Sequence, residues 1–337
     1  MDVGVRSRAL DAFLHAVKYR SPPDHGRVVA APGHYAGLVR IGRETIAITT
    51  DTVGTKVLLA EQLGRWEEVG EDIVGVNVND LAAMGSRPAA LVDTILCGQP
   101  PDPEVFRALG RGVDRGLRSA RCALLGGETA VVPDILRGLD LGGTAIGFFP
   151  RGRAPVTGRR IRPGDRILGI PATGVHANGF TLIRKLIESR GIDLSRPRPG
   201  ASEPVGEELL RPTRIYTEVA EALAGRPELR GLAHISGGGV RNLVRLHPKV
   251  EFVLDAWPSP PPLFDWLRDL GGLSAREAFQ TFNMGIGFVA VIGRSHLAEV
   301  RRRLARAGAP DVAEIGHVER GSGVSLPAWD LRYNGYE

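Results

Sequence analysis

The chain has 337 residues, 43% apolar and 24% charged, the balance of a globular protein long enough for two domains with separate cores. No apolar run approaches the ~20 residues that a membrane span needs, and residues 1–10 are charged and lack the apolar stretch of a secretion signal, so the sequence reads as cytoplasmic with no membrane partner. The net charge is +5, but the arginines are scattered without basic–aromatic interleaving, which argues against nucleic acid as a partner. Cys97 and Cys122 have neither metal-ligand nor redox spacing and read as buried thiols. Lysine is confined to Lys18, Lys56, Lys185 and Lys249. Where arginine has displaced most lysines, a remaining one can mark a need for a compact ammonium group, which singles out Lys18 and Lys56.

In chain order, residues 5–18 place Leu10, Phe13, Leu14 and Val17 on one helical stripe. A Pro/Gly-rich segment closes in Gly33-His34-Tyr35-Ala36-Gly37, and a hairpin is expected over 38–41 and 45–50 around a Gly42-Arg43 turn. Trp66, Val69, Ile73 and Val76 recur at helical spacing. Residues 89–96 read as a buried strand, 104–118 as an amphipathic helix, and 122–125 and 142–148 as strands. The aperiodic stretch 150–163, rich in Arg, Gly and Pro, divides the chain into expected domains 1–155 and 156–337. Beyond it come a strand at 165–170, a helix to residue 190 capped by Asn178, and a helix at 213–224. A strand at 232–235 leads into Ser236-Gly237-Gly238-Gly239 and a short helix at 240–246. Strand 250–254, helix 262–270, strand 287–292, helix 296–307 and strand 312–317 complete the set. Strands and helices alternate in both halves, which predicts an α/β or α+β class.

Three acidic motifs stand at the ends of apolar runs: Asp51-Thr52-Val53-Gly54-Thr55-Lys56, Asn77-Val78-Asn79-Asp80 and Gly126-Gly127-Glu128-Thr129. Carboxylates suit a hard cation such as Mg²⁺, while backbone amides and a lysine suit phosphates. Each motif also has a plainer reading. Asp51 can make an Asx turn, Asn79-Asp80 can end a helix, and the glycine pair can form a tight turn. In the second half, His176 is expected near a helix N-terminus, where positive potential lowers an imidazole's pKa; a neutral ring there suits proton transfer, or it simply bonds a loop carbonyl. The 236–239 loop can receive a substrate phosphate or be plain loop. Asn283, in Thr281-Phe282-Asn283-Met284-Gly285, either positions a substrate or serves packing.

Taken in order, these motifs resemble those of the phosphoribosylformylglycinamidine cyclo-ligase family, the aminoimidazole ribonucleotide synthetases, over nearly the whole chain. The matching segments are 51–56, Val78-Asn79-Asp80-Leu81, 126–129 with Pro133, 174–180, 236–239 and 282–287. The resemblance implies a two-domain synthetase of that superfamily, a homodimer joined through its N-terminal sheets, and an ATP-dependent ring closure on a small ribonucleotide. It implies Mg²⁺ on Asp51, Asp80 and Glu128, with Asp80, His176 and Lys18 in catalysis. Nucleotide contacts would come from Gly33, His34, Tyr35, Gly37, Asp51, Thr55, Lys56, Asn79, Gly126, Gly127, Glu128 and Thr129, and substrate contacts from Asn178, Ser236, Gly237, Gly238, Gly239 and Asn283. The chain departs from the pattern where Thr52 replaces a glycine, where Arg6 and Arg8 replace carboxylates, and where Val131 replaces a glutamate.

Relatives within the superfamily separate on single features. Selenophosphate synthetases generally carry an early reactive Cys, whereas the first cysteine here is Cys97. The hydrogenase-maturation enzyme carries a C-terminal cysteine, whereas this chain ends Asn334-Gly335-Tyr336-Glu337. The formylglycinamide ribonucleotide amidotransferase needs a glutaminase domain. Thiamine-monophosphate kinase has a comparable length; the segments 176–179 and 283–287 favour the cyclo-ligase. A nucleotide-binding paralogue without catalysis is the reading from a different class.

Overall fold

The computed structural model describes residues 3–19, 22, 25–30 and 33–335. The side chains of Arg6 and Arg8, two of the departures from the family pattern, lie outside that description. The strands are β1 (Arg27–Ala30), β2 (Gly37–Ile41), β3 (Glu44–Thr52), β4 (Arg87–Cys97), β5 (Ala123–Val131), β6 (Leu139–Phe148), β7 (Arg166–Pro171), β8 (Leu229–His234), β9 (Val250–Val253), β10 (Ile286–Ile292), β11 (Ala313–Arg320), β12 (Gly323–Leu326) and β13 (Leu331–Tyr333). The helices are α1 (Val3–Ala16), α2 (Lys56–Leu63), α3 (Trp66–Ala83), α4 (Pro103–Ala120), α5 (Phe180–Arg190), α6 (Val205–Leu210), α7 (Thr217–Leu223), α8 (Pro262–Gly271), α9 (Ala275–Thr281) and α10 (Leu297–Arg306).

Two mixed sheets organise the chain. The first has six strands in the order β1-β2-β3-β6-β4-β5, and the second has seven in the order β13-β12-β9-β11-β7-β10-β8. In the first sheet β4 and β5 run parallel and the other pairs antiparallel. Helix α3 lies against β3 and β6 on one side and reaches β8 of the second sheet on the other. Its residues are almost all buried, as expected of a helix enclosed by both domains. Helix α4 packs beside it at backbone distance, because Gly70 and Gly112 carry no side chain. A Cβ on Gly112 would sit 1.9 Å from the Glu67 carbonyl oxygen, and one on Gly70 2.3 Å from that of Leu109.

Among the described residues no helix packs extensively on the opposite face of the first sheet. Paired residues there are apolar: half-buried Ile46 faces exposed Phe148, and exposed Ile48 faces exposed Ile146 in register. Phe148 is 44% and Leu125, on the edge strand β5, 68% exposed. In the second sheet every residue of β10 is buried, which explains its unbroken apolar sequence Ile-Gly-Phe-Val-Ala-Val-Ile. Cys97 is buried and Cys122 half-buried, and both are free thiols.

Several local expectations change. The strand expected to stop at residue 125 continues to Val131, so Gly126-Gly127-Glu128-Thr129 lies within β5 rather than in a turn. The helix expected over 213–224 starts only at Thr217, because the preceding segment is pinned by polar side chains of α3. Asn178 does not cap α5; Gly179 holds that position at φ 80, without a side-chain cap bond. Residues 240–246 fold as a 3-10 helix, Gly239–Arg245.

Candidate functional site

A seam of buried polar groups joins α3 to the 211–216 segment. Lys56 Nζ lies 2.7 Å from Asp72 Oδ2, with both side chains fully buried, and it also donates to the Arg211 carbonyl at 2.9 Å. Asp72 Oδ1 accepts the Thr213 N–H at 2.7 Å and its hydroxyl at 2.6 Å. Burial raises the Asp72 carboxyl above its usual range, against the lowering pull of Lys56 and Thr213. Asn79 donates to the Arg214 carbonyl and accepts the Tyr216 N–H, each at 2.8 Å. Both residues were expected at the nucleotide. Their polar groups are instead spent inside the protein, since an ammonium with no exposed surface does not meet a phosphate and Asn79 is wholly buried.

The next residue, Asp80, is different. Its side chain is 15% exposed, and its Oδ1 accepts a hydrogen bond from His234 Nδ1 at 2.9 Å. His234 closes β8 and stands two residues before Ser236. Beyond it, the 236–239 loop meets the loop that follows β7: a Cβ on Gly237 would lie 3.1 Å from Asn178 Oδ1. Gly239, at φ 57, allows the chain to turn where a Cβ would strike the Phe279 carbonyl at 1.9 Å. Asp80, Asn178, Ser236 and Gly237 are thus gathered at the junction of the two domains.

His176 sits behind this junction rather than in it. It is 1% exposed, adopts φ 59, and its Nε2 accepts the Thr173 N–H at 3.4 Å. Burial, and then the nearby His234, Lys56 and Arg214, hold its pKa well below the usual imidazole value. The expected direction of shift is found, but its cause is burial and neighbouring positive groups, not a helix terminus. Asn283 donates to the Gly174 carbonyl at 2.8 Å and accepts the Gly285 N–H at 2.9 Å, so one end of its amide holds the 174–179 loop and the other its own 283–285 turn.

The three carboxylates do not converge within one chain. Register runs Asp51–Gly143–Asp93–Gly127 straight across β3, β6, β4 and β5, three strand spacings or roughly 14 Å. Asp51 shares the α3 side of the sheet with Asp93. Glu128, one residue beyond Gly127, is exposed and stands with Thr94 on the open face. Among the described residues no group of three His, Cys, Asp or Glu side chains is placed to hold a metal. Within one chain the strand register thus keeps Glu128 about three strand spacings from Asp51.

The remaining expected contacts are scattered. Lys18 is exposed in the segment after α1. Tyr35 is buried and donates its hydroxyl to the Asn242 carbonyl at 2.9 Å, while His34 Nε2 lies 3.3 Å from the Thr157 carbonyl. These two tie the first domain to the second instead of forming an open glycine loop. Gly33, at φ 115, precedes them, Gly37 pairs with Ile48, and the Thr55 hydroxyl meets that of Thr181 at 3.0 Å.

Two residues at the site were not singled out from sequence. In the sequence His234 reads only as part of the strand at 232–235. Asp93 interrupts the apolar run Leu91-Val92-Asp93-Thr94-Ile95, which was the available signal. Burial raises its carboxyl, and Gly127 is what admits it: a Cβ there would lie 1.8 Å from Asp93 Oδ1.

Comparison with known proteins fits this architecture. Residues 33–149 match the AIR synthase related protein N-terminal domain and residues 162–327 its C-terminal domain, which defines a two-domain protein of the AIR-synthase class. The phosphoribosylformylglycinamidine cyclo-ligase of Methanothermobacter thermautotrophicus is 43% identical over 89% of this chain and 88% of its own. That of Thermococcus kodakarensis is 44% identical over 89% and 87%. The chain belongs to the phosphoribosylformylglycinamidine cyclo-ligase family. Its fold is also that of the solved structure described as AaThiL complexed with AMPPCP and TMP, at TM-score 0.66 and 17% identity over 97% of this chain and 95% of that one.

Proposed function

We propose that this protein converts formylglycinamidine ribonucleotide to aminoimidazole ribonucleotide in purine biosynthesis, with ATP going to ADP and phosphate. The observation that carries the reading is the placement of Asp80. It is the partly open carboxylate at the domain junction, beside the 236–239 loop and Asn178, in a chain more than 40% identical to cyclo-ligases. An amide-type oxygen is a poor leaving group. Transfer of the γ-phosphoryl to it makes phosphate the leaving group, and an amidine nitrogen of the same molecule then attacks the carbon and closes the ring. Holding both ends of one substrate on two facing loops supplies proximity, in favourable cases about 7–11 kcal/mol.

Asp80, Asp51 and Asp93 each offer carboxylate oxygens of the kind that suits a hard divalent cation, and a magnesium–nucleotide complex needs only one or two carboxylates beside its phosphates. Mg²⁺ bound there would spread the charge of the transferring phosphoryl group. Glu128 can join only from the open face, which in a dimer makes it a residue at the interface with the other copy. The open face itself supports a homodimer, since Ile48, Val92, Leu125, Ile146 and Phe148 are exposed together on it. The 236–239 loop would receive the ribonucleotide's phosphate. His176, neutral and enclosed, shapes the 173–179 loop in this reading; Lys18 reaches the nucleotide only if the segment after α1 closes over it.

The test is ADP release measured by a coupled assay with formylglycinamidine ribonucleotide and, in parallel, thiamine monophosphate. Release with the first alone supports the assignment. Release with the second alone moves the protein to the kinase branch, and release with neither makes it a non-catalytic binder.

A further inference from the structure

We infer that His234 is the positioning residue for Asp80, holding this carboxylate for a metal–nucleotide complex from across the domain junction. The inference rests on the reading in which Asp80 faces that complex.

Asp80 lies in the last turn of α3, where the partial negative charge of unpaired carbonyls disfavours an anion. No basic residue occupies that turn, so the helix does not compensate the charge. Support comes from the other domain. Among the described residues, Asp80 accepts its hydrogen bond from His234 Nδ1, at 2.9 Å.

His234 is suited to that task in three ways. First, it is rigid: it is 1% exposed and stands in register opposite Phe288 of the fully buried strand β10. Second, the ring makes no competing bond. Its Nε2 is buried with no hydrogen-bond partner among the described residues, so the contact with Asp80 is the polar interaction that offsets burying the imidazole. A carboxylate acceptor requires the hydrogen on Nδ1, which fixes the tautomer. Third, an imidazole N–H orients a carboxylate without bringing the permanent charge of an arginine or lysine, which would compete with a cation for it. Hydrogen bonds of this kind to metal-binding carboxylates characteristically tune metal affinity 10–100-fold.

The same residue sets the distance between the two halves of the reaction. His234 is two positions from Ser236, and Gly237 lies so near Asn178 that a Cβ on it would be 3.1 Å from Oδ1. Asp80 and the substrate loop therefore share one rigid strand end, although they belong to different domains.

The experiment measures Mn²⁺ binding to the protein–AMPPCP complex by electron paramagnetic resonance, without turnover, for wild type, His234→Phe, His234→Asn, His234→Gln and Asp80→Asn. His234→Phe keeps ring volume but loses the donor and should weaken Mn²⁺ binding 10–100-fold. His234→Asn places an amide N–H near the Nδ1 position and should recover binding to within a few-fold; His234→Gln, whose N–H lies nearer Nε2, should not. In steady state the half-saturating Mg²⁺ concentration should follow the same order, with kcat at saturating Mg²⁺ changing less. If Asp80→Asn loses Mn²⁺ while His234→Phe binds it like wild type, the inference is overturned and the role of Asp80 survives. If Asp80→Asn itself binds normally, the underlying reading and the inference fall together. If His234→Phe does not fold, the Asn–Gln pair decides, and equal affinities for the two overturn the inference.

Discussion

Replacing Lys56 by Met separates two accounts of this lysine. In the structure its ammonium is 2.7 Å from Asp72, both groups are fully buried, and Asp72 is additionally bonded to the backbone and hydroxyl of Thr213. Removing one partner leaves a carboxylate with two donors but no counter-charge. Burial already raises that carboxyl with Lys56 in place, so without it the group must either take up a proton or remain as an uncompensated charge. Breaking a buried pair in this way costs about 3–5 kcal/mol. Lys56→Met should therefore lower the urea midpoint by an amount corresponding to that loss. The double variant Lys56→Met/Asp72→Asn, which leaves no orphan charge, should recover a large part of it. The Michaelis constant for ATP, measured below the unfolding range, should change little. Wild-type stability in Lys56→Met together with a large rise in that constant would refute the reasoning and return the lysine to the phosphates.

Gly112→Ala forces a Cβ to within 1.9 Å of the Glu67 carbonyl; separating α3 from α4 should cost about 1–3 kcal/mol, read as a lowered thermal midpoint. His176 is held neutral in the fold, whereas the unfolded ring binds a proton below about pH 6.5. The stability advantage of wild type over His176→Asn should accordingly shrink as pH falls below about 6.5, by at most about 1.4 kcal/mol per pH unit. A gap that stays constant from pH 7.5 to 5 would contradict the burial of a neutral ring. On the open face, Phe148→Glu should convert a dimer to monomers in sedimentation equilibrium; wild type sedimenting as a monomer would remove the dimer from the account.

Much of the fold was legible. The hairpin over 38–41 and 45–50, the α3 stripe of Trp66, Val69, Ile73 and Val76, and the strand at 287–292 all fold as the sequence indicates. The misreadings have physical causes. Glycine pairs usually punctuate a chain, but Gly127 is a strand residue because Asp93 needs the space a side chain would fill. The expected helix 213–224 loses its first turn because Asp72 accepts the Thr213 N–H and Asn79 bonds the Arg214 carbonyl and the Tyr216 N–H. Helix α9 was missed although its start carries a capping box, with Ser274 and Glu277 bonded reciprocally at 3.2 and 2.9 Å. Asp80 and the 236–239 loop stand out in the sequence by residue type and spacing, and the fold brings them to the same domain junction. His234 does not stand out, because a single imidazole at the end of an apolar strand looks like core until the other domain brings Asp80 to it. The spread of Asp51 and Glu128 depends on strand order, which places three strand steps between segments that motif spacing alone does not separate.

The account is tested most directly by ADP release from Asp80→Asn with formylglycinamidine ribonucleotide and saturating Mg-ATP, beside its thermal unfolding. The predicted result is turnover reduced to background in a protein that melts like wild type. Near-normal turnover in that variant would contradict the placement of the reaction at the domain junction.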